Sequence, residues 1–259
     1  MLTKDLTAKK KLRLVNGNGA ASAEEVALLG HGIKSPLTRI VTLSELLLKE
    51  LPGELNDQQK EYMQDIFNNS HLLLNSVNSL LSITKSEAGF LKLNIGPYNL
   101  REIVESVVVR VDSVAISKGT EIIIDIPDTL PIVYCDRYKI EQVLYNLLDN
   151  AMKFTEEGTI TVSARETRDK MISVTVSDTG IGIKEKNKSR VFEKFFTEKN
   201  SVNPGGSGLG LAVVKEYVNL HNGKVCLKSR VGKGTSVTFA IPNKAPEEKE
   251  LTPHASSCR

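Results

Sequence analysis

YKIEQVLYNLLDNAMKFT, residues 138–155, carries two different faces on one helix. At 100° per residue, Gln142, Asn146, Asn150 and Lys153 fall within about 80° of arc, while Ile140, Leu144, Leu147, Leu148 and Ala151 take the opposite side. The apolar side belongs to a core. The other side offers amide oxygens, which suit a magnesium ion that keeps waters and shares phosphate oxygens, and an ammonium that acts on phosphates as a point charge. A merely solvated face would leave the same pattern, so its surroundings decide.

From Gly96 onward the chain consists of short β-like runs, EIIIDI, IVYC, TITVSA, MISVTVS, KVCLKS and TSVTFAI, interleaved with helical patterns at 100–118, 137–154 and 208–221. This predicts an α/β sandwich over 95–243, with a largely antiparallel sheet covered on one face by helices. Upstream, Ser22 is an N-cap followed by Glu24 and Glu25, and Val26, Leu29, Ile33, Leu37, Ile40, Leu47 and Leu51 form one stripe. PGELND breaks that helix. A second helix begins near Asp57, with Tyr62, Ile66, Leu73, Val77, Leu80 and Thr84 on one face, and ends around SEAGF. Such a hairpin, placed at 22–94, cannot cover both stripes by itself, which predicts a homodimer closed as a four-helix bundle. The fold class is therefore α+β, with a flexible polar lead-in over 1–21 and a disordered tail over 244–259.

Two further stretches resemble ligand loops. SDTGIGI puts Asp178 at the end of a β-run with Gly180 and Gly182 behind it, an arrangement in which a carboxylate accepts from an adenine amino group and the backbone approaches a flat base. PGGSGLGLAVVKEYV opens a glycine-rich loop, with Gly205, Gly206, Gly208 and Gly210, directly into a helix, where unpaired N–H groups and the positive dipole end favour phosphate. Alone, the first is also a strand-ending turn and the second a hinge.

Their order and spacing resemble the N, G1, F (VFEKFF, 191–196) and G2 boxes of the ATP-binding domain of sensor histidine kinases. LLGHGIKSPLTRI, 28–40, is similar to the phosphoacceptor H box of the same family. The likeness covers about residues 22–243 and implies a Bergerat-type ATPase fold that binds ATP with Mg2+. By motif match, Asn146 and Asn150 are the candidates for magnesium and phosphate contact, Lys153 for the phosphates and Asp178 for adenine. Phe154, Gly180 and Gly182 fall beside the base, and Gly206, Ser207, Gly208, Leu209 and Gly210 on the phosphate side of a lid running from Phe195 to Ser207. Basic residues often follow the F box; here Thr197 and Glu198 come first and Lys199 is the cation available.

Of four histidines, His221 ends a helix in LHNG and His254 lies in the tail. His31 and His71 sit opposite their stripes, by roughly 160° and 150°, so both are expected to be exposed and periodicity does not choose between them. The resemblance does: His31 has Ser35, Pro36, Leu37 and Thr38 after it, and becomes the nucleophile toward the γ-phosphorus, with a response regulator receiver domain as the next acceptor. Ser35, one turn on, keeps a hydroxyl where the family often has Thr or Asn in kinases that also dephosphorylate their partner. The residue after the acceptor is usually Glu or Asp, and here it is Gly32. Two alternatives follow: a degenerate kinase that binds ATP or a partner without efficient autophosphorylation, or a serine/threonine kinase on the same fold.

Composition excludes other classes. There is no Gly-Lys-Ser/Thr P-loop run and no HRD or DFG set. A net charge of +3, from 34 basic and 31 acidic residues, is too balanced for nucleic acid. Cys135, Cys226 and Cys258 lack metal-ligand or disulfide spacing and are expected in the core or the tail. No run has the length of a membrane span, and the expectation is a soluble cytoplasmic chain.

Overall fold

The computed structural model describes residues 23–197 and 206–245; the side chains of residues 23–29 and 31 lie outside that description. Lys199, Gly205, His254, Cys258, the lead-in over 1–21 and all but the first two residues of the tail are also outside it. The chain divides into two compact units between Leu91 and Lys92.

The first unit is a helical hairpin of α1 (Ala23–Leu48) and α2 (Asp57–Glu87). Helix α1 continues through Pro36, where the missing N–H and the ring would ordinarily break a helix. Side chains reinforce the carbonyl ladder beyond it: the Thr38 hydroxyl donates to the Lys34 carbonyl at 2.9 Å and Thr42 to Thr38 at 3.0 Å. Helix α2 starts with a capping box, in which the Gln59 N–H donates to Asn56 Oδ1 and the Asn56 N–H donates to Gln59 Oε1.

The buried side of the hairpin overlaps the expected stripes only in part: Leu37 lies on the first and is buried, and Val77 and Thr84 on the second are half-buried. Among the described side chains of α1, Gly30, Leu37, Val41 and Ser44 are buried, and a β-carbon at Gly30 would lie 2.5 Å from Leu81 Cδ1, so α2 approaches α1 closely there. From α2 the half-buried side is Phe67, His71, Leu74 and Leu81. His71 is therefore not exposed as expected: its ring stands edge-on to Phe67 with centroids 4.5 Å apart, within electrostatic reach of Glu45 on α1. Ile33, Ile40, Tyr62, Ile66, Leu73 and Leu80, all on the expected stripes, stay exposed in the single chain, Leu73 at 52%.

The second unit carries a five-stranded sheet in the order β2-β4-β5-β7-β6: β2 (Glu121–Asp125), β4 (Thr159–Glu166), β5 (Met171–Asp178), β6 (Lys224–Arg230) and β7 (Gly234–Pro242). Only β2 and β4 run parallel. A two-stranded ladder of β1 (Gly96–Tyr98) and β3 (Val133–Cys135) stands beside it. Strand β1 is too short, and too rich in Gly and Pro, to register as a β-run. The inward residues Ile160, Val162, Ile172, Val174, Phe239 and Ile241 are buried, as period-2 alternation requires. On the opposite face hydroxyls pair across β5 and β7, Thr175 with Thr238 at 2.8 Å and Ser177 with Ser236 at 2.7 Å.

Helices α3 (Leu100–Val108), α5 (Arg137–Phe154) and α6 (Gly210–Leu220) supply the covering layer, with the short α4 (Asp112–Ser117) following α3. The helix expected over 100–118 is thus two helices, because the chain turns at Val109–Val111 to bury Val111 and Ala115. Cys135 is buried, whereas Cys226 is exposed on edge strand β6 rather than in the core.

One polar contact ties this layer together. His221, at the end of α6, is buried; its Nδ1 lies 2.7 Å from the Tyr217 carbonyl and its Nε2 accepts the Asp136 N–H at 3.0 Å. The carbonyl needs a proton on Nδ1, so the ring is the neutral tautomer. Asp136 in turn caps α5 by accepting from the Lys139 N–H, and its other oxygen accepts from the Asn94 N–H. Burial pushes the His221 pKa below 6.5, against smaller opposing effects of the Tyr217 carbonyl and the Asp136 charge. A histidine with a lowered folded pKa stabilises the fold fully above its unfolded value, and that contribution is lost as pH falls through the folded value. Protection of the Asp136 amide from hydrogen exchange is expected to drop as pH falls below 6.5 in the wild type. In His221→Gln that drop should disappear; an unaltered pH profile in the variant would contradict the assignment.

Candidate nucleotide site and phosphoacceptor helix

The polar face of α5 meets the start of α6. A β-carbon at Gly210, the first residue of α6, would lie 3.7 Å from Asn146 Oδ1 and 3.8 Å from Asn150 Nδ2. Among the described residues no side chain caps α6, whose first N–H groups have no intrahelical acceptor and lie next to the two amides. Asn146 Nδ2 is buried and, among the described residues, has no hydrogen-bond partner. A buried donor without a partner is costly, and here it lies beside the place where sequence reasoning puts phosphates.

Asp178 ends β5 and turns one carboxylate oxygen inward: Oδ1 accepts from the Gly180 N–H at 2.9 Å and from the Thr235 N–H at 3.1 Å. Oδ2 takes no hydrogen bond among the described residues. Burial raises the Asp178 pKa, and the two N–H donors only partly offset it. Behind it the turn packs tightly. A β-carbon at Gly180 would collide with the Phe154 carbonyl, and Gly182, at φ +70°, would meet the Arg230 carbonyl. The same Phe154 carbonyl accepts the Ile181 N–H at 3.1 Å, so the end of α5 and the turn are tied together, with the Phe154 ring partly exposed beside them.

The two ends of the expected lid are also joined. The Phe195 N–H donates to the Gly208 carbonyl at 2.9 Å, with Phe195 at φ +62° and Gly208 at φ +68°. A β-carbon at Gly208 would lie 2.6 Å from the Phe195 carbonyl carbon, so only glycine closes this base. Gly206 and Ser207 lead into it, and Leu209 is buried beneath it. Lys199 lies outside the described residues.

Asn146 and Asn150 thus meet Gly210, two residues after Gly208, and the turn that holds Asp178, Gly180 and Gly182 is tied to the end of the same helix α5 at Phe154. Lys153, on the same polar face, pairs with a carboxylate: its ammonium sits 2.5 Å from Asp149 Oδ2. Asp149 is not among the candidate residues of the sequence, although it stands at i,i+4 spacing to Lys153. Two amide oxygens alone do not make a metal site. They suit Mg2+ only together with waters and the phosphate oxygens of a nucleotide, and the donors present fit that arrangement.

In the first unit, His31 lies within α1, and Ser35 is exposed one turn later. Lys34, Ser35, Thr38, Arg39, Thr42 and Leu43 line a shallow open groove along the same helix. A β-carbon at Gly32 would meet nothing within 4 Å.

Comparison with known families gives the class. Residues 21–89 match the His Kinase A (phospho-acceptor) domain, and residues 135–245 match the histidine kinase-, DNA gyrase B- and HSP90-like ATPase. The chain belongs to the histidine kinase family. It is 36% identical over 247 residues to the non-motile and phage-resistance protein of Caulobacter vibrioides, covering 93% of this chain and 29% of that protein. To the circadian input-output histidine kinase CikA of Synechococcus elongatus it is 34% identical, over 89% of this chain and 31% of the relative. It therefore spans about a third of the length of these relatives. Full-length ShkA, solved in complex with AMPPNP, matches 87% of this chain and 47% of its own at a TM-score of 0.73 and 27% identity. Among the described residues no helix is long and apolar enough to cross a membrane.

Proposed function

We propose that this chain is the core of an ATP-dependent protein-histidine kinase that phosphorylates His31 and passes the phosphoryl group to an aspartate of a response regulator. One observation carries the reading: Asn146, with an orphaned buried amide, and Asn150 face the start of α6, in the same unit as the half-buried Asp178 carboxylate, one oxygen of which has no hydrogen bond among the described residues. Residues 22–94 supply the acceptor and 95–243 the nucleotide site.

Asp178 Oδ2 accepts from the adenine amino group while Oδ1 stays held by the two backbone N–H groups. Gly180 and Gly182 let the backbone lie against the base. The α6 N–H groups and Lys153 would bind phosphate oxygens, and Asn146 and Asn150 would hold Mg2+ and its waters, where the ion would supply positive charge against the transferred group. A neutral ring nitrogen of His31 attacks the γ-phosphorus in line; an N–P bond forms, the bond to the β-phosphate oxygen breaks, and the ring gives up its other proton. With Gly32 next to it no carboxylate of the adjacent residue takes that proton, so it passes to solvent or to another base. The exposed Ile33, Ile40, Leu73 and Leu80 support a homodimer in which the hairpins close a four-helix bundle.

Asp178→Asn tests the nucleotide site. Asparagine keeps the acceptor for Gly180 and Thr235 but turns a donor toward the adenine amino group, so nucleotide affinity is expected to fall about 10- to 100-fold. Thermal stability should hold or rise, since the raised Asp178 pKa means that its ionised form opposes folding. Undiminished binding of ATP in the variant would contradict the assignment.

A further inference from the structure

We propose that Asp149 is a positioning residue that sets the affinity of the nucleotide site by holding Lys153 until phosphates displace it. The proposal rests on the ATP reading above and deepens it.

Asp149 Oδ2 and Lys153 Nζ are 2.5 Å apart, one helical turn along α5. Viewed down the axis, Asp149 lies about 60° to one side of Asn146, and Asn150 about 40° to the other. An ammonium drawn to Asp149 is therefore drawn to the flank away from Asn150. The acidic residue precedes the basic one by four, the favourable order for a helical pair.

Among the described residues Lys153 has no second carboxylate within ion-pair distance. Beyond Asp149 stand Tyr145, whose hydroxyl is pushed up by burial and by the Asp149 charge, and the Arg110 guanidinium, 5.2 Å over the Tyr145 ring. The two paired side chains keep 34% and 32% of their surface exposed, so water screens the pair and a polyphosphate can replace Asp149 as partner. ATP binding then exchanges one ion pair for another, and the site binds less tightly than it would with Lys153 unclaimed.

The test is equilibrium binding of MgATP to the whole chain in four forms: wild type, Asp149→Asn, Lys153→Met and the double variant, with melting curves as a check on folding. Asp149→Asn is expected to bind about 3-fold more tightly and Lys153→Met about 10-fold more weakly. In the Lys153→Met background the Asp149 substitution should change nothing, because there is no ammonium left to release. Asp149→Ser, with a shorter neutral side chain, should repeat the gain and guards against a folding defect of the Asn variant. If Asp149→Asn and Asp149→Ser leave affinity unchanged or weaken it, the proposal is overturned. A gain that persists undiminished without Lys153 also overturns it, since Asp149 would then act by repelling phosphate directly. Failure of the wild type to bind ATP would instead overturn the nucleotide site, and this inference with it.

Discussion

Asn150→Ala is expected to lower affinity for MgATP about 100-fold, the loss that follows when a contact to a charged group is removed from a site built around it. The side chain leaves the polar face of α5 to meet the start of α6, where the phosphates are placed, and it is not part of the buried core. Its removal should therefore leave the melting temperature nearly unchanged while nucleotide binding and phosphorylation collapse together. Titration with a fluorescent nucleotide in the presence and absence of magnesium checks it. Because Asn150 is assigned to the ion as well as to the phosphates, the defect should shrink when magnesium is withheld from both proteins. Equal affinities for variant and wild type, with magnesium present, would remove the basis for the site.

Gly32→Glu should raise the rate of autophosphorylation about 100-fold, the lower end of what a positioned general base contributes. The structure places no obstacle in the way. The position is exposed on α1, a β-carbon there meets nothing within 4 Å, and glutamate is a better helix former than glycine. A carboxylate next to His31 can hydrogen-bond one ring nitrogen, fix the tautomer and take up proton density as the other nitrogen attacks. Gly32→Gln, which can bond the ring but takes up no proton at neutral pH, should recover only a small part of the gain. Equal rates for wild type, Gln and Glu forms would show that the missing acid does not limit the reaction, and would return attention to how His31 is presented. Gly30 offers no such opening, since a side chain there would press on Leu81.

The two units were legible in the sequence to different depths. Helix α5 was read correctly because seven core residues and four polar ones obey a 3.6-residue period over five turns, a signal that tertiary context only reinforces. The five strands of the large sheet were visible as alternating runs. Strand β1 was not, because three residues with a glycine and a proline have no period to detect. In the hairpin much of the apolar stripe, including Ile33, Ile40, Leu73 and Leu80, proved to be exposed in the single chain, while Leu37 on the same stripe is buried. The seam within the chain also uses Gly30, Ser44 and His71, two of which are polar and one of which has no side chain, so hydrophobicity alone shows it only in part.

The site shows the same division. Asp178 and the glycines of its turn could be picked out because strand end, carboxylate and glycine follow one another directly. The contact of His221 with Asp136 joins positions 85 residues apart and left no local trace. Asp149 was within reach, since a carboxylate four residues before a candidate phosphate-binding lysine is a local pattern, but its importance appears only when the ammonium is seen to sit on it.

Incubation of the chain with γ-labelled ATP distinguishes His31 as the acceptor of the γ-phosphoryl group from any other residue. Phosphohistidine should give label that survives alkali and is lost in acid, that is absent from His31→Gln, and that persists in His71→Gln. Label that survives acid, or that remains after His31→Gln, would contradict that assignment.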